Sequence, residues 1–397
     1  MYKRKHFTIL LSRIKEERRF IQVVMGPRQV GKSTMVKQVV ETTDIPSIRF
    51  SADNVPASNS AWISQCWDSA RAKMKLEHLP EVILVIDEIQ KIKGWSEVVK
   101  KEWDDDTFND INLKVILLGS SRVLLDKGLA DSLAGRFERI IMSHWNYAEF
   151  KEAFGWDIDK FIYYGAYPGA AQLVEDSERW LQYISGAIID ATINKDILVD
   201  THIAKPALLK QTFELSCAYS GQELSLTKML GQMNDAGNTT TIAGYLNILG
   251  QAGLVTALNK WANDNARKRA SIPKFQTYNN ALKMSYSNKT FSEACMDRKY
   301  WGRAFESAVG AHIVSHAYEG DYNVYYWRDY KNREVDYVLE KKGQLIAIEV
   351  KSNQERTNDG LVEFEKQFNP KKSIIVGNGG ISAETFLSCN PAELFKI

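Results

Sequence analysis

Charge imbalance, paired cysteines and long apolar runs are all missing from this 397-residue sequence, and each absence removes a class of function. Lys and Arg number 51 against 49 Asp and Glu, a formal charge of +2. No global field therefore draws the chain onto polyanions, and any nucleic-acid contact has to come from a local patch. No stretch approaches the roughly 18 apolar residues of a membrane span, so no membrane partner is expected. The N-terminal MYKRKHFTILLSRIKEERRF begins basic, but its apolar segment is too short and too interrupted for a signal peptide. Cysteine is scarce: Cys66, Cys217, Cys295 and Cys389 stand far apart, without the C-x-x-C spacing of a zinc site. A secreted chain of this length more often carries a disulfide framework, so the expectation is free thiols in a reducing cytoplasm. There is no internal repeat and no low-complexity tract. What the sequence does have is length and 44% hydrophobic residues, enough for a sizeable core and for two or three domains.

The apolar pattern changes along the chain. Between about residues 20 and 145, the short runs FIQVVM, SIRF, VILVID, KVILLG and RIIMS alternate with helical segments, which predicts a parallel α/β sheet. From 146 to 200 the sequence reads as helices broken at Gly165 and Pro168-Gly169, a small helical lid. Short helices follow over 201–270, and a mixed α/β segment fills 271–397. The expected division is thus 1–145, 146–200, 201–270 and 271–397.

The first region carries MGPRQVGKST between a strand and a helix. Gly26-Pro27-Arg28-Gln29-Val30-Gly31-Lys32-Ser33-Thr34 has the spacing and context of a phosphate-binding loop. Its two glycines let backbone N–H groups wrap phosphate, and the helix N-terminus adds a positive dipole end. Lys32 can reach the β and γ oxygens of ATP, and Ser33 can bind Mg²⁺. VILVIDEIQK then ends a buried strand in Asp87 and Glu88, one carboxylate for the Mg²⁺ shell and one to activate water. Alone, that stretch would read as a strand followed by an acidic cap; beside the loop it points to hydrolysis. VILLGSS places Ser120 and Ser121 at the carboxyl edge of a neighbouring strand, where one of them can position the attacking water. SLAGRFERI carries Arg136 just before the last strand, where its guanidinium can reach the γ-phosphate of an adjacent subunit. Taken alone, such an arginine is more often a surface residue.

Residues 224–261, LSLTKMLGQMNDAGNTTTIAGYLNILGQAGLVTALNKW, read as helix, turn, helix and wing. Asn238 caps the second helix, and Ile242, Tyr245, Leu246 and Leu249 form its apolar face. Such a helix often enters a DNA major groove, yet residues 238–252 contain no Lys or Arg. Arg267, Lys268 and Arg269 downstream can serve as a phosphate-holding wing tip or as a solvated loop. His312 and His316 share a helix face, but no Glu follows the first, so they read as ordinary core or surface histidines. The tryptophans and tyrosines of 145–190 read as helix packing.

EVDYVLEKKGQLIAIEVK, residues 334–351, reads as a hairpin turning at Lys342-Gly343. That register sets Asp336 opposite Glu349, with Lys351 on the same face and Ile346, Ile348 and Val350 on the other. Two facing carboxylates repel unless a proton or a cation lies between them. A divalent ion, Mg²⁺ or Mn²⁺, resolves the conflict and generates a nucleophile, with Lys351 beside the activated water. Glu306 on the preceding amphipathic helix is a further ligand candidate. The bland alternative is the solvated polar face of a hairpin.

Together these motifs resemble the AAA+ superfamily of ATPases over residues 20–145, in the branch where SLAGR follows LLGSS. In that branch the C-terminal half resembles a winged helix followed by a restriction-endonuclease-like PD-(D/E)XK fold, and D-x(12)-E-x-K from Asp336 to Lys351 matches that pattern. The resemblance implies an oligomeric, cytoplasmic, Mg²⁺-dependent ATPase. Lys32 and Ser33 would act at phosphate and metal, Asp87 and Glu88 as hydrolytic carboxylates, Ser120 as sensor and Arg136 as the finger acting in trans. It also implies DNA as partner and metal-dependent DNA cleavage at Asp336, Glu349 and Lys351. The alternative is an ATP-switched binding or assembly protein with an inactive nuclease-like interaction domain. Two departures stand out. Arg179 is the nearest candidate for a second sensor arginine, but its neighbours do not resemble that motif. Asn279 stands where related chains carry an acidic residue.

Overall fold

The structure, a computed structural model, describes residues 1–120, 125, 128–130, 132–198, 203–233, 237–264, 271–352 and 359–396. The chain divides into two compact units, Met1–Met142 and Ser143–Ile397.

The first unit is built on the five expected strands: β1 (Ile21–Met25), β2 (Ser47–Ser51), β3 (Val82–Asp87), β4 (Leu113–Gly119) and β5 (Phe137–Ile141). They pair in the order β2-β3-β4-β1-β5, every neighbour parallel. Strands β1, β3 and β4 are buried along their whole length, which explains why they read as continuous apolar runs rather than alternating ones. Helices α1 (Lys5–Lys15), α2 (Lys32–Thr42), α3 (Ala61–Leu76) and α4 (Trp95–Phe108) belong to the same unit. Leu10 and Ile14 of α1 and Met35, Val36 and Val39 of α2 join Val24, Ile83, Val85, Ile116 and Leu118 in one core. Because all five strands run the same way, their carboxyl ends lie along one edge, which carries the loop after β1, Glu88 after β3 and Ser120 after β4.

The second unit begins with α5 (Tyr147–Phe154) and α6 (Ile158–Tyr164). A reciprocal cap between Asn146 and Glu149 starts α5. Gly165, at φ 74°, ends α6 where the break was expected. Phe150 packs its ring against Trp145, Phe154, Trp156 and Phe161, so the aromatic residues here are packing residues. Helix α6 lies against the helix Asn280–Met284 and the long helix Arg298–Gly320, so this segment is part of the second unit's body.

Helices α7 (Pro206–Ala218), α8 (Leu226–Leu230) and α9 (Thr239–Gln251) lead into an antiparallel ribbon of β6 (Val255–Leu258) and β7 (Lys274–Thr277). Asn238 caps α9 by accepting from the Thr241 N–H at 2.7 Å, and Ile242, Tyr245, Leu246 and Leu249 are its buried face. The basic cluster Arg267, Lys268 and Arg269 lies outside the described residues. A second sheet closes the chain, with strands β8 (Asn323–Arg328), β9 (Glu334–Lys341), β10 (Gln344–Lys351) and β11 (Lys372–Gly377) in the order β11-β10-β9-β8. Helix α10 (Arg298–Gly320) precedes the sheet and α11 (Asp359–Phe368) connects the parallel pair β10 and β11. The hairpin turns at Lys342-Gly343 with both residues at positive φ, and Gln344 pairs with Lys341. Among the described residues no helix is long and apolar enough to cross a membrane.

Candidate functional site

The loop between β1 and α2 is fixed by two glycines. A Cβ on Gly26 would stand 2.1 Å from the Met142 carbonyl oxygen, and Gly31 caps α2 at φ 91°, a conformation only glycine adopts without penalty. Val30 turns its side chain into the core, leaving its backbone to the loop, while Pro27 and Arg28 are half-buried and Gln29 and Thr34 exposed. Lys32 is buried and its Nζ donates to the carbonyls of Gly26 and Pro27 at 2.9 and 2.8 Å, which keeps the ammonium on the loop's inner side.

Strand β3 delivers the acidic pair to the same edge. Ser33 Oγ donates to Asp87 Oδ2 at 3.0 Å, bringing together two oxygen donors that lie 54 positions apart. Glu88 has a left-handed backbone, φ 55°, an uncommon state for a non-glycine that is found disproportionately at functional positions. Its Oε2 accepts from Ser120 Oγ at 3.0 Å and from the Gln90 amide. Lys32, Ser33, Asp87, Glu88 and Ser120 are thus gathered at one sheet edge, as the spacing led us to expect; Ser121 lies outside the described residues. Two members escape a sequence reading. Arg49 on β2 donates to Asp87 Oδ2 at 2.7 Å, and Gln90 steadies Glu88. A lone arginine in the run SIRFS and a glutamine two places after Glu88 were the only available signals.

Arg136 is placed differently. It precedes β5, and its carbonyl accepts from the Ile21 N–H at the start of β1, so it lies at the amino edge of the sheet, opposite the loop. Its guanidinium makes a two-pronged ion pair with Asp104 of α4 at 2.7 and 3.0 Å.

In the second unit the hairpin face is buried and crowded. Asp336, Glu349 and Lys351 are each less than a tenth exposed. The pairing of Ile348 with Tyr337 makes Asp336 and Glu349 the next step outward. Asp336 Oδ2 there accepts from the Val350 N–H at 2.8 Å. Glu306 arrives from α10. Lys274 of β7, missed in the sequence because nothing marks a lysine opening a strand, arrives from the ribbon. Its Nζ lies 2.7 Å from Glu306 Oε1, 3.4 Å from Asp336 Oδ1 and 4.7 Å from the centre of the Tyr337 ring. Burial, then the charge of Glu306, pushes the Asp336 carboxyl up to about 7. Burial, then Asp336, pushes Glu349 up to about 9 against the opposing pull of Lys351. The Lys274 ammonium, though burial disfavours it, is held well above the ordinary lysine range by Glu306 and Asp336. Glu349 Oε2 is buried without a hydrogen-bond partner. Among the described residues no group of three His, Cys, Asp or Glu side chains is disposed to hold a metal ion.

The remaining candidates are structural. His312 Nε2 bonds the Cys389 carbonyl at 2.7 Å, and burial together with His316 drives its pKa well below the usual range, so it is a neutral core histidine. Asn279 is 2% exposed and its Oδ1 accepts from the N–H groups of Ala281 and Ala166. It starts the helix Asn280–Met284 and ties it to the turn after Gly165. Arg179 lies in the helix Ser177–Gln182 of the second unit.

A family model described as an AAA domain matches residues 18–151, and two described as domains of unknown function (DUF8612 and DUF4143) match 155–292 and 301–388. An uncharacterized protein of Haemophilus influenzae is 23% identical over 380 residues, covering 90% of this chain and 89% of that one. One from Methanocaldococcus jannaschii is 23% identical over 376 residues, covering 89% of this chain and 79% of that protein. One from Mycobacterium tuberculosis is 25% identical over 335 residues, with 83% and 70% covered. Among solved structures, the Aeropyrum pernix ORC1 protein in complex with DNA is similar at 12% identity and a TM-score of 0.32, over 72% of this chain and 92% of that one. The AAA match falls on the five-stranded parallel sheet and its phosphate-binding loop, so the first unit is an α/β fold similar to an AAA domain over residues 18–151.

Proposed function

We propose that the first unit hydrolyses ATP with Mg²⁺, and that it does so in an oligomer whose second unit engages DNA. The observation that carries the ATP reading is the Ser33–Asp87 contact beside Lys32 in the loop, with Glu88 held at the same edge. Ser33 Oγ and Asp87 Oδ2 are the hard oxygen donors that Mg²⁺ takes. Held by Ser33 and Asp87, the ion would offset negative charge on the nucleotide's phosphates. Lys32 and the backbone N–H groups of 28–33 hold the phosphates and orient the γ-phosphoryl group. Glu88 accepts the proton of the attacking water, and Ser120, bonded to its Oε2, keeps that carboxylate aimed. Arg49 shares the Asp87 oxygen and competes for it, so it sets how readily the carboxylate is released to the ion. Arg136 supplies transition-state charge to a neighbouring subunit.

Three helices followed by a two-stranded ribbon, whose second strand runs on to Thr277, support the winged-helix reading of 201–270, and with it the DNA partner. The sheet β11-β10-β9-β8 flanked by α10 and α11 supports the nuclease-like reading of the rest. Metal-dependent cleavage would fall to Asp336, Glu349 and Lys351. The second reading, an ATP-switched binding protein whose nuclease-like half only holds its partner, is favoured by one observation, the buried Lys274 among the acids. Nucleotide titration of the full chain tests the first claim. Wild type should bind ATP in the presence of Mg²⁺ and Lys32→Ala should lose most of that affinity; equal affinity in the two proteins would remove the loop from the site.

A further inference from the structure

We infer that Lys274 is the resident cation of the acidic pocket in the second unit, its ammonium standing where a divalent ion would otherwise be needed. The inference concerns the second unit alone and holds whether or not the first unit hydrolyses ATP.

It follows from the contacts around each oxygen. Glu306 Oε1 receives Lys274 Nζ at 2.7 Å; Asp336 Oδ1 receives the same ammonium at 3.4 Å, and Asp336 Oδ2 receives the Val350 N–H at 2.8 Å. Three of the carboxylate oxygens that would form an ion's shell are therefore already engaged by fixed donors. A divalent ion entering beside Asp336 would meet a positive charge one hydrogen-bond length from its ligands, in a region shielded from water where such repulsion is weakly screened. Lys274 is itself 6% exposed, so it cannot swing out into solvent without pulling on the strand that bears it. The lysine also binds three elements into one body: β7 through its backbone, α10 through Glu306 and β9 through Asp336. The pocket is thus a charge-compensated joint between the ribbon and the four-stranded sheet. A site so filled generates no metal-bound hydroxide, and the second unit serves to hold a partner rather than to cut it.

The test is Mn²⁺ binding by nucleotide-free full-length protein, followed by calorimetry and by thermal unfolding, in wild type, Asp336→Asn, Lys274→Gln and the double variant. Wild type and Asp336→Asn should bind Mn²⁺ identically. Lys274→Gln should unfold about 10 °C lower, the effect expected of a broken buried ion pair in a unit of this size. Millimolar Mn²⁺ should restore at least half of that loss, and the double variant should show no such rescue. Mn²⁺ binding in wild type that Asp336→Asn abolishes would overturn the inference, as would a folded Lys274→Gln protein indifferent to the ion. Should Lys274→Gln fail to fold, the comparison of wild type with Asp336→Asn decides alone.

Discussion

The position of Arg136 makes its role measurable. The residue stands at the amino edge of a sheet whose carboxyl edge carries the loop, and β1 between them is five residues long. At about 3.3 Å per residue the two edges are about 16 Å apart, farther than one arginine side chain reaches. Arg136 is therefore too far away to act at the loop of its own chain, and under the proposed function its guanidinium serves the nucleotide of a neighbouring subunit. The competing explanation is that Arg136 exists to pair with Asp104, their side chains being 32% and 42% exposed. A pair so open to solvent is worth no more than about 1 kcal/mol. A trans-acting finger is worth about 10³ or more in rate, which is about 4 kcal/mol or more in the barrier. Arg136→Ala and Asp104→Ala separate the two. Both remove the same ion pair, but only the first removes the guanidinium. Arg136→Ala should bind ATP normally, lose at least a hundredfold in turnover and melt within about 3 °C of wild type; Asp104→Ala should keep its turnover. Mixing Arg136→Ala with Lys32→Ala should then restore ATPase, because each supplies the half the other lacks. Equal turnover in Arg136→Ala and Asp104→Ala, or no recovery in the mixture at concentrations where wild type is active, would refute the trans assignment.

Arg49→Ala frees the Asp87 oxygen that Arg49 shares with Ser33, so half-maximal ATPase should need several-fold less Mg²⁺; an unchanged or higher requirement in a Mg²⁺ titration would show that Arg49 does not compete there. Glu349 offers a pH-dependent test. Its carboxyl is raised to about 9 in the folded chain, so its contribution to stability is intact below the unfolded value of about 4.3 and is lost as pH rises toward about 9. Glu349→Gln should accordingly be about as stable as wild type at pH 4 and progressively more stable than wild type from pH 5 to 9, by a few kcal/mol at most. A stability difference that does not grow over that range would place the Glu349 carboxylate in a solvated or ion-paired setting instead.

Where sequence and structure agree, the cause is local. Strands β1, β3 and β4 of the first sheet were legible because a strand buried on both faces has to be an unbroken apolar run. The loop was legible because Gly26 and Gly31 answer a backbone constraint that no other residue meets. The hairpin register followed from its two-residue turn. What stayed hidden depends on contacts between distant positions. Lys274 reaches Asp336 across 62 positions and Arg49 reaches Asp87 across 38. No periodicity encodes either, and each changes the chemistry of a residue the sequence had singled out. The facing acids of the hairpin were expected to need a proton or a cation between them, and Lys274 lies 3.4 Å from Asp336. That a lysine of β7 stands beside them could not be read from residues 334–351.

Phosphate release by purified full-length protein, with ATP and Mg²⁺ and across a range of protein concentrations, tests the central claim most directly when wild type is compared with Glu88→Gln. The account predicts turnover in wild type and its loss by at least a hundredfold in Glu88→Gln, with ATP affinity retained, because the carboxylate held by Ser120 and Gln90 is the group that takes the proton from water. Turnover in Glu88→Gln equal to that of wild type would contradict it.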